Sequence, residues 1–352
     1  DIAFLDTDIL KKGSIGRELQ DCKEKVIKIG RMDEKFIREF LKKNGIRVLV
    51  VGNDLEAVSY RFVIIAKEMG IKTVLIQDGA ICTHSYREKM SIDFLRISLS
   101  EISPAFVIEK ITSALNPKWK VDQRENYRYG RYVDYALIWG NFTKRELEKV
   151  GVNTKFVIVG APIFDGVKMA HNKALLGKYG LDLNKKTLLY APTDAPSARL
   201  FSTKAFKDMT KMLTDVVATQ ENLQLIIKPH PRFITRENGF FNKYIKKNVF
   251  EIRDENSLSL IEASDVLITD VSSTAMEAII MGLPVIILNT AGRYYSEPFP
   301  RAYIEGGVAK AATNENELEK AIDKCLYDKN VKQDFLSNRK NFLKDQFYKL
   351  DN

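Results

Sequence analysis

Cysteine is scarce. Cys22, Cys82 and Cys325 are the only three, and they lie far apart in a chain of 352 residues. An odd, scattered set excludes a disulfide framework and a zinc site of closely spaced thiolates, and it suits a reducing compartment. Long apolar runs are also missing: none approaches the roughly 18 residues that a membrane span needs. The opening residues, Asp1-Ile2-Ala3-Phe4-Leu5, lack the charged and apolar regions of a signal peptide. The expected location is the cytoplasm, extending to a peripheral position on the inner face of the membrane. Internal repeats and low-complexity tracts are absent, which sets solenoid and linker-like readings aside.

What the chain does have is length and positive charge. At 352 residues it exceeds what one hydrophobic core usually organises, so two domains are expected. Apolar residues make up 45% and charged residues 29%, a balance typical of globular proteins. A net charge of +9 favours anionic partners: phosphorylated ligands, a lipid surface or nucleic acid.

The most informative stretch is 264–289. Val266-Leu267-Ile268 reads as a strand buried on both faces. Asp270 to Thr274 form a turn of small polar residues. A helical pattern follows through Ala275, Met276, Ala278 and Ile279 and stops at Gly282, and Pro284 opens a second apolar run. This is a βαβ unit of a parallel sheet. Free backbone N–H groups and the positive end of the helix dipole gather at the turn beside the hydroxyls of Ser272, Ser273 and Thr274. Such a turn suits a phosphate; the competing reading is that Ser272 only caps the helix.

The same grammar recurs along the chain. Strands are expected at 2–5, 26–29, 47–53, 72–76, 135–140, 156–162, 187–193, 223–228 and 249–252, with helices at 56–69, 203–220 and 256–263. Another helix is expected at 143–150, where Thr143 and Glu146 have capping-box spacing. The first domain is expected to span 1–166, a hinge 167–185 and the second domain 186–352. Asp6 and Asp8 form an Asp-x-Asp pair, but with no further acidic ligand nearby no metal site is assigned. Asp78 and Gly79 follow the strand at 72–76; an acid at a strand's carboxyl end is either a catalytic base or a turn residue. His84 is six residues further on. Pro229-His230-Pro231-Arg232 ends the strand at 223–228. The two prolines fix the direction of His230, and an imidazole beside a guanidinium suits a diphosphate. Between Lys118 and Tyr132, bases and aromatics interleave. The readings are a solvated face, a surface resting on anionic lipid and, last, a nucleic-acid contact, for which no known motif is present.

Four strand ends thus carry polar groups: 77–80, 190–193, 229–232 and 270–274. The last three fall in one domain at successive βα turns and are expected to converge on one anion.

The two-domain layout resembles the GT-B glycosyltransferases. The motifs that carry the resemblance are Pro229-His230-Pro231-Arg232, Asp270-Val271-Ser272-Ser273-Thr274 and Met281-Gly282-Leu283-Pro284-Val285. More narrowly they are similar to the branch with CDP-glycerol glycerophosphotransferases and bacterial sialyl- and Kdo-transferases. Tyr190-Ala191-Pro192-Thr193 and Gly160-Ala161-Pro162 with Asp165 also match the glycerophosphotransferase pattern. Those enzymes carry a His-Gly pair where this chain has Asp78-Gly79; an acid before Gly is the sialyl- and Kdo-type arrangement.

The resemblance implies an α/β fold of two Rossmann-like, doubly wound parallel-sheet domains with a cleft between them. It implies transfer of a glycosyl or polyol-phosphate group from a nucleotide-activated donor to a glycan or lipid-linked acceptor. Asp78 would act as base and His230 would neutralise the leaving phosphate. Thr193, Arg232, Ser272, Ser273 and Thr274 would bind the donor, and Glu277 would hold the ribose or else be an exposed helix residue. No metal, no cofactor and no nucleic-acid partner is expected, and a peripheral membrane contact would use 118–132. The alternatives are a nucleotide-sugar 2-epimerase of the same architecture and a non-catalytic nucleotide or polysaccharide binder. Epimerases usually have a Gly-rich turn in place of Ser272-Ser273 and an acidic pair in place of Glu277 alone.

Overall fold

A computed structural model of the chain describes residues 3–6, 25–28, 33–52, 54, 57–79, 81, 129–167, 171–193, 203–231, 239–270, 272–288 and 298–347. In chain order the elements are β1 (Ala3–Asp6), β2 (Lys25–Lys28), α1 (Glu34–Lys43), β3 (Val48–Val51), α2 (Ala57–Glu68) and β4 (Lys72–Ile76). Next come β5 (Tyr135–Ile138), α3 (Asn141–Lys149), β6 (Lys155–Ile158), α4 (Ala174–Lys178), β7 (Lys186–Tyr190), α5 (Thr203–Ala218), β8 (Leu223–Ile227) and β9 (Val249–Glu251). The chain continues through α6 (Ser257–Glu262), β10 (Val266–Thr269), α7 (Thr274–Ile280), β11 (Val285–Leu288), α8 (Pro298–Glu305), β12 (Lys310–Ala312), α9 (Glu315–Tyr327) and α10 (Lys329–Gln346). Two compact units are formed. One holds β1 to β4 with their helices and most of β5 and β6; the other holds the residues directly after Gln77, beginning with Asp78, together with α3 and everything beyond β6.

In the first unit, four strands lie in the order β3-β4-β5-β6, and β1 pairs with β2 as a separate parallel pair. Asp33 caps α1 by accepting from the Phe36 N–H at 2.9 Å, as a short acidic side chain at a helix start does. The buried Asp54 carboxylate accepts from the N–H groups of Gly130 at 2.9 Å and Tyr132 at 3.0 Å. Burial pushes this carboxyl up to about 6, with those N–H groups acting against the shift. Tyr129 is buried and its hydroxyl donates to the Gly52 carbonyl at 3.0 Å, while the Tyr132 ring meets Tyr60 edge-on at 4.7 Å. The described end of the basic-aromatic segment, 129–132, is therefore a turn held in the core, with only Arg131 exposed. Residues 118–128, like His84, lie outside the described residues.

In the second unit, six parallel strands run in the order β12-β11-β10-β7-β8-β9. Every residue of β8, β10 and β11 is buried. That is why these strands are almost wholly apolar, with Gln224 and Thr269 the exceptions: a parallel sheet is covered on both faces. The chain proceeds outward from β7 to β8 and β9, then returns to the other side of β7 with β10. Right-handed crossovers in opposite directions place helices on opposite faces, the doubly wound arrangement. The reversal between β7 and β10 is the point where ligands gather in such sheets. Residues 172–186 are fastened to the sheet. Lys173 pairs with Asp265 at 2.8 Å, Lys178 with Glu255 at 3.0 Å, and Gln224 accepts from the Asp182 N–H at 3.1 Å.

The capping box expected at Thr143 and Glu146 is absent. Helix α3 begins two residues earlier, at Asn141, behind Gly140, which provides no side-chain cap. Thr143 and Glu146 are both buried, and Glu146 pairs with Arg301 at 3.0 Å and Lys149 at 2.5 Å. The reason is tertiary. Gly140 lies against the end of α10, where a Cβ would stand 2.1 Å from the Gln346 carbonyl oxygen. The helix must start directly at that contact. The fully buried Trp139 beside it touches Phe164, Phe299 and Phe347 at ring distances of 5.3, 6.1 and 5.9 Å.

Candidate functional site

Three adjacent strands, β10, β7 and β8, carry the expected polar residues at their carboxyl ends. Thr193 lies three residues past β7, His230 three past β8, and Ser272 three past β10. The spacing follows from the folding rule itself: each strand ends when its apolar run ends, and the next residues are free to be polar.

The Ser272–Thr274 turn leads into α7. Ser272 is buried, Ser273 exposed and Thr274 half-buried. The Ser272 hydroxyl accepts from the Thr274 N–H at 3.2 Å and donates to the Thr274 Oγ1 at 3.0 Å. Ser273 is the N-cap residue by position but makes no capping hydrogen bond through its side chain. The local bonding of Ser272 thus orders the turn and leaves the Ser273 hydroxyl on the surface.

His230 is half-buried between a buried Pro229 and an exposed Pro231. Lys228, just before it, donates to the Arg253 carbonyl at 2.5 Å, and burial lowers its ammonium below the ordinary lysine range. Its backbone N–H bonds the Tyr190 carbonyl at 2.8 Å, which extends the β7–β8 ladder towards His230. Arg232 lies outside the described residues.

Glu277 is one turn into α7. It is half-buried rather than an exposed helix residue, and its Oε2 is buried without a hydrogen-bond partner. Burial pushes the carboxyl up to about 7, and a hydrogen bond with Ser257 opposes this only in part. A buried carboxyl oxygen without a partner can accept from a ligand hydroxyl, which would offset its burial.

Asp78 is exposed at the carboxyl end of β4, on the other sheet. The turn is anchored just before it, where the buried Gln77 donates its N–H to Leu137 at 3.0 Å. A solvent-exposed carboxylate at a strand end is a group of the kind that takes a proton in general base catalysis.

One residue at this site was not assigned a role from sequence. Asp270 is fully buried, and its carboxylate accepts from the Thr193 N–H at 3.1 Å on each oxygen and from the Thr193 hydroxyl at 2.8 Å. Burial, then the nearby Asp270 charge, pushes the Tyr190 phenol above its ordinary range. The available signal was an acid placed directly after the fully buried β10.

The structural relatives share this architecture. The Staphylococcus aureus MnaA structure with UDP is 14% identical, with a TM-score of 0.56 over 89% of this chain and 76% of that one. The Methanocaldococcus jannaschii UDP-GlcNAc 2-epimerase with UDP-GlcNAc and UDP is 18% identical, with a TM-score of 0.55 over 88% and 79%. The kitacinnamycin glycotransferase is 13% identical, with a TM-score of 0.59 over 98% and 88%. Identities this low establish the shared fold, that of the GT-B glycosyltransferases and the 2-epimerases. No curated protein sequence matches the chain. The family model for CDP-Glycerol:Poly(glycerophosphate) glycerophosphotransferase matches residues 111–352. The chain is a GT-B transferase, and it belongs to the CDP-glycerol glycerophosphotransferase family.

Proposed function

We propose that the protein moves a glycosyl or polyol-phosphate group, without metal, from a nucleotide-activated donor to a cell-surface polysaccharide or lipid-linked acceptor. The donor is CDP-glycerol, a CMP-sugar or a UDP-sugar. What supports this reading most is one observation: hydroxyls and an imidazole stand at the carboxyl ends of three neighbouring parallel strands, around the point where strand order reverses. The family described for residues 111–352 adds to it.

In this reading residues 1–166 bind the acceptor and 186–352 bind the donor. Asp78 takes the proton of the acceptor hydroxyl. The freed oxygen attacks the donor at its anomeric carbon or, for a polyol phosphate, at the outer phosphorus. The bond to the nucleotide breaks, and the electron pair leaves with the nucleotide phosphate. His230, Arg232 and the Ser272–Thr274 turn meet the charge that develops there. Glu277 accepts from the ribose.

The test is a calorimetric titration with CMP, CDP, UDP and GDP, with and without magnesium. Binding of CMP or CDP without metal supports the proposal. UDP binding alone leaves transfer and 2-epimerisation to be separated by assaying each. No binding of any of the four rejects the anion site.

A further inference from the structure

We infer that Asp270 is a positioning residue of the donor site and that it fixes which hydrogen-bonding role Thr193 plays there. This rests on the donor-site reading above. Past the last paired residues of β7 and β10 the two chains stay joined. The Ala191 N–H bonds the Ile268 carbonyl at 3.0 Å, and the Thr269 hydroxyl donates to the Ala191 carbonyl at 2.6 Å. The Asp270 carboxylate then receives both the N–H and the hydroxyl of Thr193. Side chains of the β10 end thus continue the ladder where backbone pairing stops.

The position of this link matters. β7 and β10 flank the reversal of strand order, and Asp270 is two residues before Ser272. One carboxylate therefore sets the separation between the Thr193 turn and the Ser272–Thr274 turn. It also commits both protons of Thr193. A hydroxyl has one proton and two lone pairs, so the half-buried Thr193 offers a ligand an acceptor and not a donor. A phosphate oxygen, itself an acceptor, is a poor match. A sugar or polyol hydroxyl is a good one. Donation to phosphate falls to Ser273, Thr274 and His230, and Thr193 receives a hydroxyl of the donor.

The experiment uses the full chain and measures affinity for CDP-glycerol and UDP-GlcNAc by calorimetry, with circular dichroism to confirm folding. The variants are Asp270→Asn, Thr193→Val, Thr193→Ser and the Asp270→Asn/Thr193→Val double. Expected are losses of about tenfold or more for Asp270→Asn and Thr193→Val, a double variant within about twofold of Asp270→Asn, and Thr193→Ser within about threefold of the unaltered chain. A residue that only fastens the fold would shift melting and leave the affinity of the folded variants unchanged. Unchanged affinity in folded Asp270→Asn, or losses that multiply in the double, overturns the inference while the donor-site reading stands. If Asp270→Asn fails to fold, Thr193→Val binding as tightly as the unaltered chain overturns it instead. An unaltered chain that binds neither CDP-glycerol nor UDP-GlcNAc overturns the inference together with the reading it rests on.

Discussion

Arg339 on α10 donates through Nε to the Ile279 carbonyl at 2.7 Å, and its Nη2 donates to the Ile280 carbonyl. These are the terminal carbonyls of α7, the short helix that the Ser272–Thr274 turn leads into. A cation at a helix carboxyl end satisfies carbonyls that have no partner within the helix and complements the dipole. Arg339→Ala is expected to destabilise the fold by about 1.5–3 kcal/mol, the range for hydrogen bonds to a charged group. Urea unfolding at neutral pH measures it, and a midpoint unchanged from the unaltered chain would show the contact to be energetically silent.

His230→Ala is expected to weaken nucleotide binding and remove transfer, because the donor phosphate loses a positioned donor at the moment charge develops. Calorimetry and turnover are read on the same preparation. Donor affinity and turnover both equal to those of the unaltered chain would sink this role.

Asp78→Asn is expected to leave donor affinity near normal and to lower kcat by about 10²–10⁴, the usual contribution of a general base. The amide preserves the turn, so the variant separates proton transfer from folding. Full activity would return Asp78 to a turn residue.

Glu277 makes stability depend on pH. Its carboxyl is pushed up to about 7 from 4.5, so the folded state holds the proton more tightly than the unfolded chain does. Its contribution is fully present below about pH 4.5 and is lost as pH rises through about 7. Glu277→Gln should therefore melt higher than the unaltered chain at pH 8, by an equivalent on the order of 3 kcal/mol, and no differently at pH 4. Asp54, pushed up to about 6, acts with the same sign and remains in the variant. Calorimetric scans from pH 4 to 8 decide; a slope identical in both proteins would falsify the assignment.

The 118–132 segment is expected to dock on anionic membrane, now resting on residues 118–128 because 129–132 are held in the core. No described helix is long and apolar enough to cross a membrane. Co-sedimentation with phosphatidylserine vesicles at low salt is the measurement. Binding lost on replacing Lys118 and Lys120 by Ser supports it, and absence of binding at low salt rejects it.

Much of the architecture was legible in the residues themselves. Val266-Leu267-Ile268, Leu223-Gln224-Leu225-Ile226-Ile227 and Val285-Ile286-Ile287-Leu288 are strands because short runs of this kind are shielded on both faces of a parallel sheet. The polar residues just past them mark the carboxyl edge, where a site is built. Those signals are local, and local spacing carries them.

The tertiary structure alone decided the rest. Asp270 and Thr193 are 77 positions apart, and they meet because the chain returns to the side of β7 opposite β8 after building β9. Thr143 and Glu146 have the spacing of a cap, yet both are interior residues of a helix that starts at Asn141, and Glu146 pairs with Arg301 from a distant part of the chain. Glu277 has the sequence surroundings of a surface acid, but contact with α6 buries it. Sequence spacing determines which residues share an element and which edge they reach. Strand order and long-range packing determine which of them lose water, and a carboxylate's loss of water is what sets its partner and its proton.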